Sequence, residues 1–304
     1  MLFRQLEYFV ALARERHFAR AAASCYVSQP ALSEAIRKLE HELDVPLVYR
    51  DRSFQGLTPE GERLVIWARR ILADHDALKQ EVTAIRAGLT GRLRVGTVPA
   101  AASTVALVVA PFCTSHPMAG VVVDTLPTTE ILRRLRDFEL DAGLVHLDDQ
   151  DTTDLVVRPL YRERYVLVAA PEMIKNLDVP VTWAAVTQLP LCLPNPDMHG
   201  RKLLDRVLAE QHLSVTPQVQ TDSIATLYAH IATGQWAGVV PHPWLRSFPQ
   251  DSHLRAAAIA GPPVEPGVAL VTSAAEPGSV LAGAFAEAAA GLRLDDLFDR
   301  GLPG

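Results

Sequence analysis

The chain reads as an α/β protein in three parts: a short N-terminal helical segment, one long helix, and a module of alternating strands and helices. Three observations predict this. Residues 1–57 carry short amphipathic helices around a Ser-Gln-Pro turn, the stretch from Glu62 to Ala87 contains no glycine or proline, and beyond Arg92 short Val/Leu/Ala runs alternate with helical stretches.

Composition sets the outer bounds. The 304 residues are 49% hydrophobic and 21% charged, too apolar for a disordered chain and long enough for two or three cores. Residues 1–90 hold 13 Lys and Arg against 12 Asp and Glu, a net of +1, while the remainder holds 16 against 23, a net of −7. Any contact with nucleic acid must therefore come from locally placed cations rather than bulk charge. Cys25, Cys113 and Cys192 are too far apart for a CxxC pair and form no disulfide framework, a usage that fits a reducing cytoplasm. The N-terminus carries Glu7 and Glu15 and lacks the apolar core of a secretory signal. Val95 to Val123 is free of Asp, Glu, Lys and Arg, but Pro99, Pro111 and Pro117 break it, so a buried strand-helix-strand is expected rather than a membrane span.

The first helix is expected around Leu6, Phe9, Val10 and Ala13, and the second over Phe18 to Cys25, where Ala21 and Ala22 allow close packing. Ser28 is a good N-cap, and Pro30 in the first turn of the next helix removes no needed N–H. That third helix should run to about Leu43 with Leu32, Ala35, Ile36, Leu39 and Leu43 on one face. Its other face shows Gln29, Ser33, Glu34, Arg37 and Lys38, which suits either a recognition helix in a major groove or an ordinary solvated surface.

The whole string decides between them. HFARAAASCYVSQPALSEAIRKLEHELDVPLVYRDRSFQGLTPEG resembles the winged helix-turn-helix of LysR-type transcriptional regulators. The matching elements are Ala21-Ala22, Val27 to Ser33, Ile36, Leu39-Glu40, Leu43, Pro46-Leu47, Arg50 and Leu57 to Gly61. Cys25 stands where leucine is common in that family, Asp44 where glycine is frequent, and Val48-Tyr49 where phenylalanine and its neighbour are. The resemblance implies double-stranded operator DNA as partner, read by Ser28, Gln29, Pro30, Ser33, Arg37 and Lys38, with Arg50 and Arg52 on the wing. A finer likeness is to the branch of the family associated with formate dehydrogenase operons.

Thr58-Pro59-Glu60 is a strong helix start, giving a helix of about 30 residues and roughly 45 Å. Leu64, Ala68, Ile71, His75, Leu78, Val82, Ile85 and Leu89 alternate in steps of four and three, a coiled-coil seam with His75 as its polar member. Leu64, Ile71, Leu78, Val82 and Ile85 are the expected self-association residues. The resemblance makes this a linker helix in a homodimer and implies a homotetramer.

Strands are expected at Leu93–Val98, Val121–Thr125, Ala142–Val145, Tyr165–Ala170, Leu191–Leu193, Gln218–Gln220, Ala237–Val240 and Val268–Thr272, in parallel sheets covered on both faces. The resemblance adds a two-subdomain effector domain like a periplasmic solute-binding protein. The expected organisation is residues 1–57, 58–90 and 91–304, the last split into 91–160 with 267–304 and 161–266. Gly261-Pro262-Pro263 and Glu265-Pro266-Gly267 mark the return crossover. Ligands in open α/β sheets sit beyond strand carboxyl ends, where helix N-termini favour anions. Those positions are Ala100, Ala101, Ser103, Thr128, Thr129, His146, Asn195, His199 and Thr221, although Thr128, Asp222 and Ser223 better suit helix capping. A small organic anion is the expected effector. The ten histidines lack metal-ligand spacing, and GxGxxG, GxxxxGK, HExxH and GxSxG are missing, so neither a metal, a cofactor nor an enzyme is expected. A solute-binding or enzymatic protein on the same fold is the competing class.

Overall fold

A computed structural model describes residues 1–50, 54–148, 150–247 and 253–300, with backbone only at Arg50, residues 84–87 and Ser247. The chain opens with α1 (Phe3–Glu15), α2 (Phe18–Ser24) and α3 (Gln29–Leu43), then β1 (Val48–Arg50), β2 (Phe54–Leu57) and α4 (Pro59–Ala87). Each junction has a local cause. Arg16 takes a left-handed conformation after α1, and the imidazole of His17 caps α2 by accepting from the Ala19 and Arg20 amides. The Ser28 hydroxyl caps α3 by accepting from the Ala31 amide, and left-handed Asp44 ends it. Asp44 thus fills the backbone role for which glycine is favoured.

Leu6, Phe9, Leu12, Ala21, Ala22, Leu32, Ile36 and Leu39 form one core with Leu47, Val65 and Ala68. The first half of α4 closes it, since Val65 and Ala68 are buried and Leu64, Ile71 and Leu72 pack against it. Two expectations change here. Leu43 is 38% exposed rather than on the core face, because α3 ends at this residue. Leu64 and Ile71, expected on an intermolecular seam, are engaged within their own chain, and the ring of His75 stacks on Phe3 at 4.2 Å.

The rest of the chain forms two α/β units. The first is a five-stranded sheet, in order β4-β3-β5-β14-β6, of β3 (Gly91–Thr97), β4 (Ala119–Thr125), β5 (Ala142–His146), β6 (Leu155–Arg162) and β14 (Gly267–Ser273). It carries α5 (Val105–Ser115), α6 (Thr128–Arg136), α11 (Val280–Ala290) and α12 (Leu294–Asp299). The second holds β7 (Tyr165–Ala169) between β11 (Gly238–Pro241) and β12 (Arg255–Ala257). A Leu191–Ala237 bridge connects it to the parallel pair β9 (Cys192–Pro194) and β10 (Val219–Thr221). Around it lie α7 (Pro171–Ile174), α8 (Trp183–Val186), α9 (His199–Glu210), α10 (Ile224–Ala232) and the small pair β8 (Val181–Thr182) and β13 (Ile259–Ala260). Separate apolar clusters fill the units, one on Phe112, Ile131 and Phe285, the other on Leu167, Trp183 and Leu193.

The sheets are mixed, not purely parallel. β14 runs antiparallel to both β5 and β6, and β7 antiparallel to both its neighbours. The reason is topological: β14 enters the first sheet from the second unit, against the direction set by β3 and β5, yet is buried on both faces like a parallel strand. β6 is not among the expected strands, because Arg158, Pro159 and Arg162 hide its edge-strand alternation. The two chain passages between units meet where the Glu163 amide donates to the Pro266 carbonyl at 2.9 Å.

Candidate nucleic-acid interface and ligand cleft

On α3, Gln29 and Arg37 are exposed and Ser33 half-buried, one stripe at four-residue steps, with Pro30 and Lys38 exposed on the stripe beside it. Among the described residues Arg37 and Lys38 pair with Glu34 alone, at 3.7 and 3.9 Å, and both heads remain mostly in solvent. Such exposed pairs contribute little stability, so both cations are available to another partner. Ser28, although exposed, already spends its hydroxyl on the α3 cap. Arg50 is described only in its backbone, at the end of β1, and Arg52 lies outside the described residues. Tyr26 escaped the sequence reading: it is 96% exposed and left-handed in the turn before α3, and the only signal was its place beside the Ser28 cap.

Two devices fix the angle of α3. A Glu40 carboxylate oxygen accepts from the amides of Leu47 and Val48, at 3.0 and 3.3 Å, joining α3 to the first wing strand. The Thr58 hydroxyl caps α4 on the Gly61 amide and donates to the Pro46 carbonyl at 2.7 Å. Gly61 lies so close to that strand that a Cβ on it would sit 2.1 Å from the Leu47 carbonyl oxygen. The Thr-Pro-Glu-Gly run is thus both a helix start and a docking surface for the wing.

The strand-end positions fall into several environments. His146 and His199 come together, their rings stacked at 4.3 Å across the two units. Asn195 and Thr221 are joined by a main-chain hydrogen bond of 3.0 Å. The carbonyl of Ala100 accepts from the Trp244 indole at 2.7 Å, another contact between units. The Ser103 hydroxyl is buried without a hydrogen-bond partner among the described residues. Ala101 does not face the cleft: its side chain is wholly in the first core and its amide is spent on Val98, because the chain turns there in a tight 3-10 helix. Thr129 is exposed on α6, and Thr128 is half-buried without capping that helix. Ser223 caps α10 through the Thr226 amide.

Sequence reading missed the buried acid where the two units meet. Glu163 is completely buried, and one of its oxygens lies 3.2 Å from Nε2 of the equally buried His146. Tyr165 and Tyr161 flank it; burial first, then the Glu163 charge, raises both phenols well above their usual range. His199 is lowered to about 4 by burial and by neighbouring His146, against the opposing pull of Asp148 at 3.2 Å. Between Arg162 and Arg164, Glu163 reads as part of a surface charge run, and only the crossover from β6 to β7 turns it inward. Among the described residues no His, Cys, Asp and Glu group is arranged to hold a metal ion, and no helix is long and apolar enough to cross a membrane.

Two family patterns match. Residues 3–62 fit the bacterial regulatory helix-turn-helix protein, lysR family, and residues 86–292 fit the LysR substrate binding domain. The DNA-binding transcriptional dual regulator OxyR of Escherichia coli (strain K12) is 35% identical over 209 residues, covering 67% of this chain and 63% of its own length, just under two thirds. The transcriptional regulator DgdR of Burkholderia cepacia is 31% identical over 76% of this chain and 74% of its own. A full-length OxyR variant from Pseudomonas aeruginosa shares the fold at a TM-score of 0.76 and 23% identity, covering 100% of this chain and 99% of that one. Full-length CbnR, solved with its target DNA, does so at 0.65 and 21%, covering 95% and 99%.

Proposed function

The chain belongs to the LysR family, and from that premise we propose that it is a sequence-specific DNA-binding transcriptional regulator whose grip on an operator responds to a small molecule held between the two α/β units. The observation that carries this is the exposed Gln29, Ser33 and Arg37 stripe on a capped helix locked to its wing by Glu40 and Gly61. Gln and Arg side chains can pair with base edges, and Ser33 and Lys38 suit phosphates. The protein is a cytoplasmic, non-enzymatic regulator acting as a homodimer or homotetramer. Residues 1–57 bind DNA, 58–90 link copies, and 91–304 sense the ligand.

Signal passage follows the contacts of α4. Arg69 on this helix reaches Glu139 at 2.7 Å and Asp137 at 3.8 Å in the first α/β unit. A ligand that changes the angle between the units alters the surface on which α4 rests, to the extent that it binds the two arrangements differently. Several relatives are named for induction by hydrogen peroxide. The thiols here argue for another signal: burial pushes Cys192 up to about 11, and Cys25 and Cys113 pack against apolar cores.

Electrophoretic shift of duplexes from the chain's own upstream region, titrated across salt, tests the reading. Binding is expected to weaken steeply with salt, and Arg37→Ala to weaken it by about 1–3 kcal/mol. Salt-insensitive or undetectable binding would return the chain to a solute-binding role.

A further inference from the structure

The turn that leads into α3 presents a large side chain to solvent at a backbone position that favours glycine. α2 ends in a closed cap: the Ala22 carbonyl accepts from the Val27 amide at 3.0 Å, and the Ala23 carbonyl from the Tyr26 amide at 3.1 Å. That pair of bonds puts Tyr26 at the left-handed position of the cap, with a φ of 56°. Glycine is the usual residue there, because a Cβ is crowded. Val27 packs against the N-terminal core, as does Ala22, so the backbone around Tyr26 is held and the direction of its side chain is fixed. The tyrosine gains no packing in return: it is 96% exposed. Among the described residues its hydroxyl meets no hydrogen-bond partner.

The surroundings suit a polyanion. From Arg16 to Ser33 the sequence contains no aspartate or glutamate. Arg16, His17 and Arg20 on that stretch are exposed, as are Ser28, Gln29 and Pro30. The acids that bound it, Glu15 and Glu34, are each paired with arginine or lysine, Glu15 with Arg14 and Arg20, Glu34 with Arg37 and Lys38. Gln29 opens α3 three residues after Tyr26, at most about 11 Å of extended chain. The phenol therefore stands at the edge of any groove that α3 enters. Resting on the reading of α3 as a recognition helix, we propose that Tyr26 is a DNA-backbone contact. Its hydroxyl donates to a phosphate oxygen beside that groove, and its ring lies on the adjoining deoxyribose. A neutral donor in this place positions the helix without reading bases and without releasing counterions. The left-handed backbone is tolerated for the direction it gives the phenol, not for packing.

Equilibrium gel shifts of the full chain on a duplex from its upstream region and on an unrelated duplex, paired with urea unfolding of the same preparations, test the contact. Tyr26→Gly is expected to keep or raise the urea midpoint, because glycine relaxes the left-handed position, while weakening binding to both duplexes about tenfold. Tyr26→Phe keeps the ring and is expected to lose about threefold. Neither change alters the slope of log affinity against log salt, whereas Lys38→Ala makes it shallower by about one. Wild-type affinity in Tyr26→Gly overturns the contact, and wild-type affinity in Tyr26→Phe removes the phosphate hydrogen bond. A urea midpoint that falls together with binding makes Tyr26 a folding residue instead. A loss confined to the upstream duplex overturns the backbone assignment in favour of base reading. Unchanged DNA binding with lost self-association by light scattering gives this surface to a second copy of the chain. If the unsubstituted chain binds neither duplex at low salt, the recognition-helix reading falls and takes the contact with it. Normal binding by that chain with an indifferent Tyr26→Gly sinks the contact alone.

Discussion

At the scale of single residues, a glycine and a histidine carry testable consequences. Gly61→Ala puts a methyl group into the Leu47 backbone, which cannot swing aside as a side chain would. The substitution is expected to destabilise the N-terminal unit by about 2 kcal/mol or more, read as a lower urea midpoint, and to weaken DNA binding by displacing the wing. His199 sets a pH dependence whose sign follows from its depressed pKa. Between its ordinary value of 6.5 and about 4, the unfolded chain takes up a proton that the folded chain does not. Its contribution to stability is thus present above 6.5, falls as pH drops through that window, and levels off below about 4. His242, also lowered by burial, acts in the same direction. Replacing His199 with Asn is expected to flatten the wild-type stability slope across that window; chemical denaturation at a series of pH values measures it.

At the scale of elements, α4 serves two masters. Its first half closes the N-terminal core, whereas Leu78 and Val82 further along are 60% and 55% exposed, as is Trp67 at 55% on the same side. A run of exposed large apolar side chains on a charged helix marks an association surface. Leu78→Asp is expected to yield a monomer by light scattering with unchanged far-UV circular dichroism. Ile71→Asp would confound the two roles, because Ile71 also packs within its own chain. A Leu78→Asp protein that remains dimeric would move the self-association surface away from this stripe. The Ile85 side chain, also expected on the seam, lies outside the described residues.

At the scale of the whole molecule, the link between α4 and the sensing units is narrow. A groove of about 710 Å³ separates much of α4 from the first sheet, lined among others by Leu72, Gln80, Arg92 and Thr272. Arg69 bridges this boundary. It sits on Asp137 and Glu139, which are drawn together by left-handed Phe138 between them and shared with Arg133. Arg69→Ala is expected to leave operator affinity within a few-fold of wild type while reducing the ligand-induced change in that affinity; gel shifts with and without ligand read both. An undiminished ligand effect would show that coupling runs elsewhere.

The amino-acid sequence by itself determined the local elements: the caps at Ser28 and Thr58, the amphipathic α3, the uninterrupted α4 and the apolar runs that became strands. These depend on neighbours a few residues apart, where periodicity and capping chemistry act. Only tertiary structure decided which side of α4 was already occupied, that β14 runs against its neighbours, and that Ala101 belongs to a core. It also turned Glu163, one acid in a run of charges, into a buried group where the two units meet. Such outcomes depend on contacts between residues far apart in the chain, as when Glu163 meets His146 and Pro266, and no local pattern encodes which distant partner a side chain will face.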